Sequence, residues 1–193
     1  RSKVINNLIT AEDVGIYFNN LNYYDIYHNT VNVRDSYALQ NYQYGTYLRL
    51  KNNIFSTEAN QAAIYFQYTV NGLTSDYNNL YTPYTYPVYY GSNRTLAQWQ
   101  SSYGQGENSL TLEPIFDGDS TLVPLSSFLD NQGTPIASVA DDINGVARSD
   151  STPDMGALEF TSTATPISGI VSVGPSGDYS TIHALRQDLA ANG

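Results

Sequence analysis

Short apolar runs, each broken by an asparagine pair or its equivalent, recur through the first ninety residues of this 193-residue chain. Asn6-Asn7-Leu8-Ile9, His28-Asn29-Thr30-Val31, Asn52-Asn53-Ile54-Phe55 and Asn78-Asn79-Leu80-Tyr81 keep a nearly constant beat. Taken on the second asparagine, the spacings are 29 − 7 = 22, 53 − 29 = 24 and 79 − 53 = 26. Gly15-Ile16-Tyr17-Phe18 returns as Ala63-Ile64-Tyr65-Phe66 two beats later. Runs such as Lys3-Val4-Ile5, Asp25-Ile26-Tyr27 and Leu48-Arg49-Leu50 have strand length and no helical stripe. A period in the twenties built from such runs predicts a β-solenoid, its turns stacked about 4.8 Å apart. Asparagine tolerates left-handed backbone at a corner, and its amide can bond the next copy. Asn7, Asn29, Asn53 and Asn79 are therefore expected to form a structural ladder rather than a catalytic set.

The pattern changes after Thr82. Pro83 and Pro87 cannot donate to a ladder, so an excursion or an edge is expected there. Thr95 caps a short helix bearing Leu96, Trp99 and Gln100, which the Gly104-Gln105-Gly106 turn stops. A strand over Ser109–Leu112 leads into Glu113-Pro114-Ile115-Phe116, and residues 117–160 are loop-rich. Thr161-Ser162-Thr163-Ala164-Thr165-Pro166 has linker composition. Beyond it come a strand-like Ile170-Val171-Ser172-Val173 and an amphipathic segment, Thr181–Ala191, with Ser180 as N-cap. Four regions are thus expected: repeats over 1–116, a closing cap over 117–160, a linker over 161–169, and over 170–193 the opening elements of a following solenoid module. The alternative for the tail is that it folds back over the first turn of its own solenoid.

Composition narrows the partners. The net charge of −10 leaves no basic footprint for nucleic acid, and no apolar run reaches the roughly 20 residues that span a bilayer. Absence of cysteine removes a disulfide scaffold and a thiolate metal site. Few charges with much Asn, Ser, Thr and Tyr suit an extracellular or bacterial cell-surface protein. The 18 tyrosines are too many for a thin solenoid core, so some must face outward. Flat rings with a polar tip suit sugars or protein contacts, although cross-strand ring pairing also accounts for them.

Several pieces, in order, resemble the right-handed parallel β-helix proteins (pectate-lyase-like solenoids) of Bacteroidetes-type secreted and surface proteins. Leu96-Ala97-Gln98-Trp99-Gln100 followed by Gly106-Glu107-Asn108-Ser109 looks like that family's Trp-bearing helix and return. Glu113-Pro114-Ile115-Phe116 looks like its D-P-x-F turn, and Ser126 to Asp130 with Gly133 a degenerate S-P-A-I-D-x-G. Asp142-Ile143-Asn144-Gly145-Val146-Ala147-Arg148 with Pro153-Asp154-Met155-Gly156-Ala157-Leu158-Glu159 matches its closing D-x-x-G-x-x-R…D-I-G-A-x-E pattern. The resemblance implies an all-β right-handed parallel β-helix whose last turn is covered by a cap pinned through Asp142, Gly145, Arg148, Asp154, Gly156 and Glu159.

Two functional classes follow. One is a non-catalytic structural or adhesive module of a large surface protein, meeting a polysaccharide or surface glycan and neighbouring β-helix modules of the same chain. The other is a fragment of a β-helix polysaccharide lyase or glycoside hydrolase. For the second, Asp25, Asp76, Arg49 and Lys51 are the candidate catalytic residues, since a glycosidase needs two facing carboxyl groups and a lyase a base. No cofactor is called for. Calcium is the metal that could join the chain, with Asp117 and Asp119 as its candidate ligands, and a plain solvated turn is the alternative.

Overall fold

The computed structural model describes residues 1–162 and 170–192. Its first ninety residues form four stacked turns of a parallel β-solenoid. Turn one holds β1 (Ser2–Ile5), β2 (Leu8–Ala11), β3 (Ile16–Phe18) and β4 (Leu21–Asn22). Turn two repeats this as β5 (Tyr24–Tyr27), β6 (Thr30–Val33), β7 (Leu39–Asn41) and β8 (Gly45–Thr46). Turn three is β9 (Arg49–Lys51), β10 (Ile54–Thr57), β11 (Ile64–Phe66) and β12 (Val70–Asn71). Turn four has β13 (Thr74–Asp76), β14 (Asn79–Tyr81) and β15 (Val88–Tyr90), with β16 (Asn93–Arg94) returning antiparallel along β15. Four walls result: sheet A (β1-β5-β9-β13), sheet B (β2-β6-β10-β14), sheet C (β3-β7-β11-β15-β16) and sheet D (β4-β8-β12).

Side chains that alternate along each strand stack in register between turns. Ile26 and Leu50 follow Val4 inside sheet A; Val31, Phe55 and Leu80 follow Ile9 inside sheet B; Leu39, Ile64 and Val88 follow Ile16 inside sheet C. These rows are the core, and most of their members are buried outright. Stacking resumes after the two prolines, because Pro87 needs only its carbonyl: it accepts from the N–H groups of Ala63 and Ile64.

The corner between sheets A and B divides two duties between adjacent residues. Asn6, His28, Asn52 and Tyr77 take the left-handed backbone, with φ between 52° and 56°. The residue after each builds the ladder: Asn7 Nδ2 donates to Asn29 Oδ1 (2.7 Å), Asn29 Nδ2 to Asn53 Oδ1 (2.9 Å) and Asn53 Nδ2 to Asn78 Oδ1 (2.8 Å). The fourth rung is thus Asn78, not Asn79, because Tyr77 has taken the bent position. Asn79 instead exchanges two hydrogen bonds of 2.8 Å with the backbone of Leu112. A second bent corner, between sheets D and A, uses Tyr23, Tyr47 and Gly72.

What covers the last turn is the Trp-bearing helix and its return. Helix α1 (Leu96–Tyr103) opens with a Thr95–Gln98 capping box and ends on Gly104 in left-handed conformation. It seats Trp99, fully buried, against Tyr90 at a ring separation of 5.2 Å. The following segment lies on turn four as a partial fifth rung. Gly106 N–H donates to Ser75 O, Leu80 N–H to Leu110 O, and Asn78 N–H to Ser109 Oγ, so Ser109 ends the ladder.

The closing segment does not sit on the end of the solenoid, as the resemblance implies; it runs back along its flank. Asn52 of turn three exchanges bonds with Thr134 (3.0 and 2.6 Å), Thr30 of turn two accepts from Ala157 N–H (2.9 Å), and Asn6 of turn one meets both Asp141 O (2.8 Å) and Arg148 Nη2 (3.0 Å). This strap hides the outer side of sheet B. Ile54, Met155 and Leu129 form a second small core there, Leu129 coming from a 3₁₀ turn at Ser127–Leu129. All four residues of β10 are buried, the polar Ser56 and Thr57 included.

The tail contributes one isolated bridge, Val173 to Tyr179, and helix α2 (Ile182–Asn192), which lies near the Ser127–Leu129 turn. The linker expected over 161–169 lies, from residue 163 on, outside the described residues.

Candidate functional site

The outer side of sheet A gathers the charged candidates. On β9, Leu50 points inward, so Arg49 and Lys51 both face out. Arg49 registers with Asp25 of the turn below, and Lys51 lies between Tyr27 and Asp76. Asp25 and Asp76 therefore share a wall but belong to neighbouring rows two strand positions apart, and they do not form a facing pair. Arg49 grips Asp25 with two bonds, Nε–Oδ1 at 2.7 Å and Nη2–Oδ2 at 2.9 Å, and Arg1 adds a third contact at 3.2 Å. The Asp25 hydrogen bond holds Arg49 above its ordinary pKa, so it stays a cation. Burial, with Asp25 beside it, pushes the Tyr27 hydroxyl up as well. Asp76 accepts from Asn108 twice, through the backbone N–H (2.7 Å) and Nδ2 (2.9 Å).

Arg49, Lys51 and Asp76 line a cleft of about 540 Å³. Its floor is sheet A; one wall is the Gly104–Glu107 turn after α1, and the other is Pro135-Ile136 of the strap. The two walls come from segments far apart in sequence from the floor, so no local pattern could have announced them. Lys51 is half-buried, its carbonyl accepts from His28 N–H at 3.1 Å, and its side chain has no hydrogen-bond or ion-pair partner among the described residues. Asp25, locked behind Arg49, is buried beneath rather than within the cleft.

The closing motif uses its charged groups on itself. Arg148, buried, donates to Glu159 Oε2 (3.2 Å), Gly156 O (3.1 Å) and Asn6 Oδ1 (3.0 Å). Burial lowers its pKa, while Glu159 and Asp142 pull the other way. Asp142 accepts from Asn144, Val146 and Glu159 backbone N–H groups, and Glu159 from those of Ser149 and Asp154. Asp154 accepts from Asn131 and Phe160, both at 2.6 Å, yet burial still pushes its carboxyl up to about 7. Gly145 and Gly156 adopt positive φ in these turns. Carboxylates so fully engaged orient backbone; they offer no free pair for acid–base work. Against the same corner, burial and then Arg148 push the His28 imidazole down to about 3, and its Nε2 accepts from Asn52 Nδ2 at 2.9 Å.

Asp117 accepts from Thr121 Oγ1 and from Val123 N–H (3.1 Å), as a turn acceptor does. The Asp119 carboxylate lies 3.9 Å from Arg34. No three His, Cys, Asp or Glu side chains gather as metal ligands among the described residues.

Tyrosines stack in pairs along the outer faces: Tyr23 on Tyr47 (4.8 Å), Tyr44 on Tyr68 (4.4 Å) and Tyr65 on Tyr89 (4.5 Å). Cross-strand stacking thus accounts for many of them, and still leaves Tyr44 66 % and Tyr23 51 % exposed. No helix among the described residues is long and apolar enough to cross a membrane. No family model matches this chain, and no curated protein or solved structure shows a significant match to it. What the geometry establishes is a parallel β-solenoid of about four turns.

Proposed function

We propose that this chain is a non-catalytic structural and adhesive β-solenoid module of a large extracellular or cell-surface protein, and that it binds a polysaccharide. The observation that carries this reading is the state of the acids around the charged cleft. Asp25 is locked to Arg49 and Arg1, and Asp76 is held by Asn108, while Glu107 at the rim is exposed. A glycosidase needs two carboxyl groups facing each other across the scissile bond, and the acids around this cleft form no such pair. Arg49, kept protonated by Asp25, is a hydrogen-bond donor and not a base. Donors over a half-open cleft, together with water-exposed tyrosine rings, suit holding a hydroxyl-rich polymer.

The second reading, a fragment of a polysaccharide lyase, is favoured by one feature: the Lys51 side chain faces the cleft with no partner. Affinity electrophoresis separates the two. Gels embedding acidic and neutral polysaccharides, with and without calcium, are expected to retard the protein and show no clearing around the band. Clearing that is lost in Lys51→Gln would establish the lyase reading instead.

A further inference from the structure

The outer face of sheet C carries a column of rings, one per turn. Tyr37 precedes β7, Tyr65 is on β11 and Tyr89 on β15; the first two rings are 4.6 Å apart and the last two 4.5 Å, the upper pair within 14° of parallel. Tyr84, in the excursion between Pro83 and Pro87, rises beside the column, its ring edge-on to Tyr86 and its hydroxyl accepting from Asn93 Nδ2 at 3.2 Å. Between them lies a groove of about 280 Å³, lined by these four tyrosines with the amides of Asn60, Gln61 and Asn93. No charged side chain lines it, in a chain of net charge −10. Burial, and then the neighbouring Tyr89, hold the Tyr37 and Tyr65 hydroxyls above the ordinary phenol value, so both stay neutral; the Tyr65 hydroxyl donates to Gln67 Oε1 and can only accept from a ligand.

We infer that this groove is a binding site for a neutral glycan chain, an inference that rests on the polysaccharide-binding reading above. Three lines of chemistry converge on that ligand. Ring edges and the open face at the end of the column give apolar contact for the C–H side of a sugar, while the hydroxyls and amides meet its polar rim. Each amide offers a donor and an acceptor side by side, which matches adjacent sugar hydroxyls. An acidic chain would find no cation here and would meet the net negative charge of the module. A proline-rich peptide, the other ligand that aromatic grooves take, supplies acceptors but no prolyl N–H, and leaves the amide oxygens unmatched. A column that repeats once per turn also suits a ligand that itself repeats.

The test uses the whole chain in affinity electrophoresis through three neutral polysaccharides (a glucan, a xylan and a galactomannan), with polygalacturonate and a polyproline peptide as rivals. Tyr84→Ala and Tyr89→Ala are compared with Lys51→Gln, which reports on the sheet A cleft, and with the exposed Asp13→Asn as control, far-UV circular dichroism confirming the fold of each. Tyr84 lies outside the solenoid core, so its removal tests the groove even if Tyr89→Ala disturbs the stack. The expected result is retention by at least one neutral polymer, weakened about tenfold or more by either tyrosine variant and unchanged in Asp13→Asn. Retention indifferent to Tyr84→Ala, or lost in Lys51→Gln, would overturn this site while leaving the polysaccharide-binding reading standing. Retention by polygalacturonate alone would do the same. Binding of polyproline alone, or of nothing, would overturn both.

Discussion

Asn53→Ala removes the middle of the ladder, and its effect can be worked out bond by bond. Asn53 is fully buried; its Nδ2 donates to Ile26 O (2.9 Å) and Asn78 Oδ1 (2.8 Å), and its Oδ1 accepts from Asn29 N–H (3.0 Å) and Asn29 Nδ2 (2.9 Å). Alanine deletes four hydrogen bonds and strands the buried backbone N–H of Asn29, while Asn29 Nδ2 keeps Val4 O and Tyr27 O as acceptors. The stranded N–H costs about 1–3 kcal/mol and each of the three other lost bonds about 0.5–1, so the loss is about 3–5 kcal/mol after partial relaxation. That is a large fraction of the roughly 5–15 kcal/mol that holds a domain folded. Asn7→Ala provides the internal standard. Asn7 is half-buried at the outer end, its side chain donates to Ile5 O and Asn29 Oδ1, and its loss strands no buried donor, so about 1 kcal/mol is expected. Urea denaturation followed by fluorescence of Trp99, the single tryptophan, measures both. Equal losses at the two positions, or less than about 1 kcal/mol at Asn53, would refute the claim that the ladder is a load shared between turns.

Other predictions concern the strap and the walls. His28→Asn installs the residue found at the equivalent corner of turns one and three; because burial pushes the folded imidazole down to about 3 from 6.5, the wild type should lose stability relative to the variant as pH falls from 6.5 towards 3, by up to about 1.4 kcal/mol per pH unit, while Asp154, pushed up to about 7, works the opposite way in both proteins and cancels in the comparison. Gly156→Ala combines a φ of +90° with a Cβ placed 2.5 Å from Thr30 Oγ1, so about 2–4 kcal/mol of destabilisation is expected, with earlier proteolysis within residues 130–160 than in the repeats. Asp25→Asn should cost about 2 kcal/mol in urea denaturation, less than the roughly 3–5 of a wholly buried pair, because the Arg49 side chain is 41 % exposed.

The solenoid was legible because its signal is local and repeated: strand-length runs and corner asparagines at a fixed period force stacked parallel strands whatever lies at either end. The helix start at Thr95 was legible because an N-cap is a local signal, while its Gln98 partner in the capping box was not read. The ladder slipped by one residue at turn four because Asn78-Asn79 offers two identical amides, and only the bent backbone at Tyr77 decides which one points inward. The strap defeated the sequence for a different reason. The resemblance of their motif implies that Asp142, Arg148, Asp154, Gly156 and Glu159 act together, but Arg148 finishes beside Asn6 and Ala157 beside Thr30, partners more than a hundred residues away. A loop-rich segment carries no periodicity that says whether it will cover an end or a flank. The cleft was half legible: Arg49 and Lys51 share a strand face by simple alternation, whereas its two walls come from the α1 turn and the strap.

The central claim is that this solenoid holds polysaccharide without cutting it, and product release tests that most directly. Each polymer that retards the protein should be incubated with it for days, with and without calcium, while new reducing ends and new unsaturated sugar ends are counted. Undiminished binding with no release above a protein-free control is the predicted result. Steady release that scales with protein concentration and disappears in Lys51→Gln would contradict it and make the sheet A cleft an active site.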